Sequence, residues 1–433
     1  MLEHTKSVCP VCLKQLDAVR VSKADGIYLE KSCSEHGAFS VLIWEGSEKS
    51  YREWNRGNSN KDKIAAALPV NKGCPYDCGL CQAHERSGCC VLLELTKRCN
   101  LSCPVCFASA GSEGTDPGLA EIDELYSRLM KSGGPFNIQL SGGEPTVRDD
   151  LPEIIRLGLS RGFTFFQLNT NGIRLGKEAG YAKKLKDAGL NTVFLQFDGL
   201  SDKIYETLRG RPLLKEKLAA IKRCGEAGLG VVLVPTVAPG VNDGELGNIL
   251  RYAVKHMPQI RGVHFQPLSY FGRCSLPVPD KRITIPYMLK NIESQTSGSM
   301  KAADFSCGGA ENPYCSFHAS YIKQADGSLK ALAKRGGSGC CCTTSAQSRD
   351  SVARQWSGAK KIKVKTAAGS FDEFLVEIHN STLAISGMLF QDAYNLDLER
   401  LKRCYINEAD SRYGLVPFCA YNLSSVTGET LYR

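Results

Sequence analysis

Val91-Leu-Leu-Glu-Leu-Thr-Lys-Arg-Cys-Asn-Leu-Ser-Cys-Pro-Val-Cys-Phe107 is an apolar run that ends in three cysteines, Cys99, Cys103 and Cys106. Thiols at the spacing C-x3-C-x2-C can hold three irons of a 4Fe–4S cluster and leave the fourth iron open. A small molecule can bind at that open iron and take an electron from the cluster. The apolar run reads as a strand, so the loop lies at the C-terminal end of a strand, where α/β proteins place their chemistry. By itself, a cysteine triplet is also a zinc candidate.

The segment Leu140-Ser-Gly-Gly-Glu-Pro-Thr146 ends a second strand-like run about thirty-five residues later. Triplet and turn together resemble the radical S-adenosylmethionine (SAM) superfamily. The resemblance implies that Cys99, Cys103 and Cys106 carry the catalytic cluster and that the Gly142-Gly143-Glu144-Pro145 turn receives the amino group of SAM. Glycines at 142 and 143 allow close backbone approach to a ligand. Superfamily members often carry an aromatic residue just before the last cysteine. Here that position is Val105 and Phe107 follows, so adenine contacts are not carried over.

The chain has 433 residues, enough for a catalytic core with flanking modules. No run of eighteen apolar residues occurs, and the start lacks the basic-then-apolar pattern of a secretory signal; a cytoplasmic protein without a transmembrane segment is expected. Twenty cysteines grouped at two- and three-residue gaps read as metal ligands rather than disulfides. The formal charge is +9. Metal-bound thiolates offset much of it, so charge gives no reason to expect nucleic-acid binding.

Strand-like runs at 91–96, 136–140, 163–169, 192–197, 231–236 and 262–266 alternate with helix-like runs at 118–131, 151–160, 176–188, 213–227 and 244–256. This is the pattern of a parallel βα array, expected as a partial (β/α)6 barrel. It is flanked by a metal-bound ribbon at 1–60, a cysteine-rich linker at 61–90 and a C-terminal cysteine-rich auxiliary domain at 291–433, leaving 91–290 for the barrel. Right-handed crossovers put all six strand C-termini on one face. Cys99, Glu144, Asn169, Asn171, Gln196, Asp198 and Gln266 fall at those ends. Asn169, Asn171, Gln196 and Asp198, the last where the superfamily often contacts the SAM ribose, are candidate SAM contacts; Arg209 and Arg211 could hold a carboxylate or phosphate or lie on a solvated loop, and Gln266 and Arg273 could face SAM or substrate.

Cys74, Cys78 and Cys81 repeat the C-x3-C-x2-C spacing but lack a preceding strand, and Cys89 is at hand as a fourth ligand. They are expected to form an auxiliary cluster, or else a zinc knuckle. Cys9, Cys12, Cys33 and His36 give two ligand pairs suited to one mononuclear iron or zinc ion. In the tail, Cys307, Cys315, Cys404 and Cys419 are candidate ligands of a further cluster. At least one of Cys340, Cys341 and Cys342 is spare, and Cys224 reads as core. Lys360-Lys-Ile-Lys-Val-Lys365 reads as an edge strand with a solvated basic face.

The ordered set Cys9-Pro-Val-Cys12, Cys33-Ser-Glu-His-Gly37, Gly73-Cys-Pro-Tyr-Asp-Cys-Gly-Leu-Cys81, the triplet at 99–106 and Val416-Pro-Phe-Cys-Ala-Tyr-Asn422 resembles one radical SAM subfamily. It is the group of archaeal tetraether lipid synthase and dihydropterin methyltransferase-like proteins. The resemblance implies SAM, a SAM-binding 4Fe–4S cluster, auxiliary 4Fe–4S clusters, a mononuclear metal and a reductant such as ferredoxin or flavodoxin. It implies a transferase that forms carbon–carbon bonds at unactivated carbons. Lipid chains are the first expected substrate, with peripheral membrane contact; a dihydropterin or another small metabolite is the alternative. RNA or peptide modification and a non-catalytic metal scaffold are more distant readings.

Overall fold

The computed structural model describes residues 2–55, 68–308, 311–332, 345–360 and 371–433. Cys340, Cys341 and Cys342, and the basic stretch beyond Lys360, lie outside the described residues.

The ribbon is a four-stranded antiparallel sheet of β1 (Glu3–Val8), β2 (Gln15–Ser22), β3 (Gly26–Cys33) and β4 (Gly37–Glu45). Only β2 and β4 are foreshadowed by the sequence, at 17–22 and 39–44. The ribbon is fastened to the rest of the chain by charge and by packing. Arg20 pairs with Asp397 (2.6 Å), and Thr5 donates to the same carboxylate (2.8 Å). Val8 and Leu13 share an apolar cluster with Cys78, Leu92 and Cys419.

The core strands are β5 (Cys90–Glu94), β7 (Asn137–Ser141), β8 (Phe166–Thr170), β9 (Thr192–Gln196), β10 (Gly230–Val234) and β12 (Ile260–Pro267). Between them fall two-residue strands, β6 (Val105–Cys106) and β11 (Thr236–Val237). All six core strands run parallel, as their continuous apolar runs require: residues such as Val91, Leu93, Ile138 and Val232 are buried because helices cover the sheet's outer face. Each such side chain is worth about 1.5–3 kcal/mol when fully buried. The covering helices turn their apolar stripe inward, as Leu119–Lys131 does with Ile122, Tyr126 and Leu129.

The sheet does not stop at six strands. β13 (Arg273–Cys274) pairs back onto β6; β14 (Ser316–Lys323), β15 (Leu329–Ala331), β16 (Thr382–Met388), β17 (Ile406–Asp410) and β18 (Gly414–Pro417) follow. β16 lies parallel to β12 and β17 parallel to β5. The region beyond 290 thus extends both edges of the core sheet, with β14 and β18 as antiparallel neighbours outside it. The sequence boundary at 291 is therefore not a sheet boundary: β16 and β17 reach their neighbours across long stretches of chain, which local periodicity does not reveal.

Candidate functional site

β5 ends at Glu94 and releases the loop that carries the first-read triplet. The loop is held on several sides. Cys99 N donates to the Gly111 carbonyl (2.6 Å), and Leu101 N donates to Cys99 Sγ (3.4 Å). Arg273 Nε donates to the Cys103 carbonyl (2.7 Å), and Arg209 Nη1 to the Val105 carbonyl (3.2 Å). Cys99, Cys103 and Cys106 all line one central cavity of about 280 Å³. Burial pushes the Cys99 thiol up to about 12 and raises Cys103, against which the Arg209 charge pulls down. Buried thiols of that kind become thiolates only when a metal supplies the compensating charge. The donor set therefore fits an iron–sulfur cluster.

The Gly142-Gly143-Glu144-Pro145 turn after β7 packs against this loop rather than standing free. Gly143 N donates to the Thr96 carbonyl (2.7 Å) and Glu144 N to the Arg98 carbonyl (2.9 Å). A Cβ on Gly142, where φ is +118°, would stand 2.3 Å from the Thr96 oxygen, and one on Gly143 would stand 2.2 Å from the Arg98 oxygen. Both glycines are thus needed for the cysteine loop itself, where the sequence suggested close approach to a ligand. Glu144 is 1% exposed. Its Oε1 accepts from Thr146 N (3.1 Å), Thr146 Oγ1 (2.6 Å) and Thr170 Oγ1 (2.6 Å), and its Oε2 accepts from Asn171 N (2.7 Å). The carboxylate ties the β7 turn to the β8 turn, although Gly142, Gly143 and Glu144 still line the cavity. Pro145 starts a buried 3-10 turn and is not part of the lining.

Asn169, Asn171 and Gln196 line the cavity. Asn169 Nδ2 donates to Gln139 Oε1 (3.1 Å), and Asn171 Nδ2 donates to Asn100 Oδ1 (2.7 Å), one residue from Cys99. Lys217 Nζ donates to Gln196 Oε1 (3.0 Å), so the amide oxygen is already engaged.

Asp198 requires a correction. The sequence offered it as a SAM ribose contact, but it is fully buried and does not line the cavity. Its two oxygens take Arg209 Nε (2.7 Å) and Nη2 (2.8 Å), and Oδ1 also accepts from Thr236 N (3.0 Å). Arg209, read from the sequence as a carboxylate or phosphate holder or else a solvated loop residue, is the buried partner of this carboxylate, whereas Arg211 is exposed.

The cavity lining also combines amides and rings, of which the sequence had singled out only Gln266. Gln139, Gln266 and His264 stand beside Phe194 and Trp356. The Phe194 and Trp356 rings lie 4.6 Å apart. His264 Nδ1 is 2.8 Å from Ser386 Oγ, and burial lowers its pKa to about 4, so the ring is neutral near pH 7. Its strand position, two residues before Gln266, was the available signal.

Cys74, Cys78 and Cys81 line a second, small cavity of about 10 Å³ together with His84. Cys89 is not there; it lines the central cavity beside Cys90, whose Sγ accepts from Gln139 Nε2 (2.7 Å). The fourth ligand expected at Cys89 thus stands elsewhere, because β5 begins at the very next residue and draws it inward. In the tail, Cys315, Cys404 and Cys419 are close enough for their charges to couple, and Arg400 Nη2 donates to Cys315 Sγ (3.4 Å). Gly308, next to Cys307, donates to the Ser316 hydroxyl (3.2 Å), next to Cys315. Cys224 is buried in the Leu214–Glu226 helix, as a core residue.

In the ribbon, the ligand atoms of Cys9, Cys12, Cys33 and His36 all lie within 4.8 Å of one another. His36 Nδ1 is 3.4 Å from Cys33 Sγ and 3.6 Å from Cys9 Sγ. Backbone N–H groups at Glu35 and the His36 ring lower the Cys33 thiol to about 6, which favours the ligating thiolate. The set fits one tetrahedral ion. Among the described residues no helix is long and apolar enough to cross a membrane.

Comparison with known proteins agrees with this geometry. A family model for the radical SAM superfamily matches residues 93–253, and one for the HMPTM N-terminal zinc ribbon domain matches residues 1–45. The 7,8-dihydro-6-hydroxymethylpterin dimethyltransferase of Methanocaldococcus jannaschii is 36% identical over 98% of this chain and 94% of its own length. GTP 3′,8-cyclase of Paenarthrobacter nicotinovorans is 32% identical over 48% of this chain and 58% of its own length. The crystal structure of Streptococcus suis SuiB bound to S-adenosylmethionine covers 49% of this chain and 47% of its own, with TM-score 0.41 and 14% identity.

Proposed function

This chain belongs to the radical SAM superfamily, in the family of the dihydrohydroxymethylpterin dimethyltransferase, and on that premise we propose that it methylates a dihydropterin-like heterocycle held in the central cavity. The observation that carries the reading is that one cavity joins the three thiols to a wall of amides and rings. Carbon–carbon bond formation at an unactivated carbon is the reaction class expected of it.

When bound, the cluster and SAM would supply a 5′-deoxyadenosyl radical for hydrogen abstraction from carbon, and the methyl carbon would come from a second SAM or another one-carbon donor. The residues of this chain hold and orient. Cys99, Cys103 and Cys106 would ligate the cluster, and the turn at 142–144 fixes their loop. Asn169, Asn171 and Gln196 offer polar groups to SAM or substrate from the ends of β8 and β9. Gln139, Gln266 and His264 suit the donor and acceptor edge of a planar polar heterocycle, and Phe194 with Trp356 suits its face. The other cysteine groups, at 74–81 and at 307, 315, 404 and 419, are read as auxiliary clusters fed by an external reductant, and the ribbon as a zinc site.

Lipid coupling, the first substrate expected from the sequence, ranks second. A relative matched over nearly the whole chain is named for a pterin, and the amides and histidine of the cavity lining suit a polar ring better than acyl chains. The test is anaerobic turnover of reconstituted protein with SAM, a reductant and either a dihydropterin or archaeal-type lipids, followed by mass spectrometry. A methylated pterin that disappears in Cys103→Ala supports the reading. A coupled lipid with no pterin product overturns it.

A further inference from the structure

We propose that His84 is the fourth ligand of the metal centre on Cys74, Cys78 and Cys81, in the place the sequence reserves for Cys89. The inference rests on the reading above that this triplet holds an iron–sulfur cluster.

Three observations converge. First, His84 and the three thiols line the same small cavity, whereas Cys89 lines the central one. Second, His84 is rooted one turn after the last thiol, with its N–H donating to the Cys81 carbonyl (2.9 Å), so the ring and Cys81 Sγ project from one bend. The chain thus reads Cys74-x3-Cys78-x2-Cys81-x2-His84, with four side chains on one loop. Third, His84 Nε2 lies 2.6 Å from the Cys404 carbonyl. A carbonyl only accepts, so Nε2 carries the proton and Nδ1 is left with its lone pair. That is the arrangement found behind metal-ligating histidines, whose other ring nitrogen donates to a carbonyl or carboxylate. Nδ1 has no hydrogen-bond partner among the described residues, and the residue is 8% exposed.

The loop is built to hold that geometry without metal. Asp77 Oδ2 accepts from the N–H groups of Asn71, Lys72 and Gly73 (2.6–2.8 Å). Tyr432 links the C-terminal segment to the loop, accepting from Cys78 N (2.8 Å) and donating to the Pro75 carbonyl (2.6 Å). Replacing one thiolate by a neutral imidazole makes the cluster one unit less negative, which raises its potential, as histidine ligation does in Rieske centres.

The test uses the full chain, reconstituted anaerobically, reduced, and kept free of SAM. Pulsed electron paramagnetic resonance on protein labelled with 15N-histidine reads nitrogen bound to a cluster. We expect a strong histidine-nitrogen coupling that vanishes in His84→Cys while that variant keeps its iron and sulfide. His84→Ala loses one cluster's iron, and Cys89→Ser loses neither iron nor coupling. A SAM-induced change in the remaining spectrum shows that each variant is folded. Absence of the coupling in the unaltered protein, its survival in His84→Cys, or loss of the cluster in Cys89→Ser with retention in His84→Ala overturns the assignment. If instead Cys78→Ser leaves iron content unchanged, or zinc is found at the site, the underlying cluster reading fails rather than the choice of fourth ligand alone.

Discussion

Arg209 meets Asp198 through two parallel hydrogen bonds, Nε to Oδ2 at 2.7 Å and Nη2 to Oδ1 at 2.8 Å, with both side chains almost wholly buried. The same guanidinium donates to the Val105 carbonyl between two cluster cysteines. The pair therefore links β9 to the cluster loop. Asp198→Ala leaves a buried arginine without its counter-charge, which costs about 3–5 kcal/mol. Chemical denaturation of the metal-free chain should show that loss, and the variant should retain less iron. If Asp198 served mainly to touch a ribose, its removal would weaken SAM binding and leave the denaturation midpoint unmoved.

Glu144 gives a related prediction. Four hydrogen bonds converge on its carboxylate. Glu144→Gln turns one acceptor oxygen into a donor that faces other donors, at a cost of about 1–3 kcal/mol. The cost appears in the absence of SAM, as a lower unfolding midpoint. An unchanged midpoint with weakened SAM affinity would assign the carboxylate to the ligand instead.

Gly142→Ala should damage the cluster loop directly. The left-handed backbone costs about 1–3 kcal/mol for a residue with a Cβ, and the 2.3 Å approach to the Thr96 oxygen adds a clash. Reconstituted iron content and SAM binding should both fall. Retention of both would mean that the loop does not depend on the turn.

His264 sets a pH window. Burial lowers its pKa from 6.5 to about 4, so the unfolded chain binds the extra proton first as pH falls. Stability carried by the neutral ring is intact above about 6.5 and is lost progressively down to about 4, by roughly 3 kcal/mol in all. Denaturation midpoints measured across that range should fall less steeply in His264→Gln. Equal slopes in both proteins would refute the assignment.

The parts of the fold carried by local pattern were legible in the sequence. The runs around Val91, Ile138, Leu168, Val193, Val232 and Val263 became the six parallel strands, because strands buried on both faces must be apolar throughout. Spacing together with the preceding strand and the Gly142-Gly143-Glu144-Pro145 turn singled out Cys99, Cys103 and Cys106, and paired spacing picked out the ribbon ligands. What pattern cannot carry is partnership across the chain. Asp198 stands at a strand end, as a ligand contact would, and only the fold shows Arg209 already occupying it. Cys89 is near Cys81 in sequence, yet the next residue enters β5 and takes it to another cavity. The flanks of the sheet, β16 and β17, are likewise fixed by distant pairing with β12 and β5.

The thiols at 99, 103 and 106 share one cavity with Gln139, Gln266, His264, Phe194 and Trp356, which we read as one catalytic chamber for a dihydropterin. Its most direct test is release of 5′-deoxyadenosine from SAM under anaerobic reduction, measured with and without the dihydropterin. The account predicts release that rises when the pterin is added and is abolished in Cys103→Ala. Release that ignores the pterin, or that persists without Cys103, would contradict it.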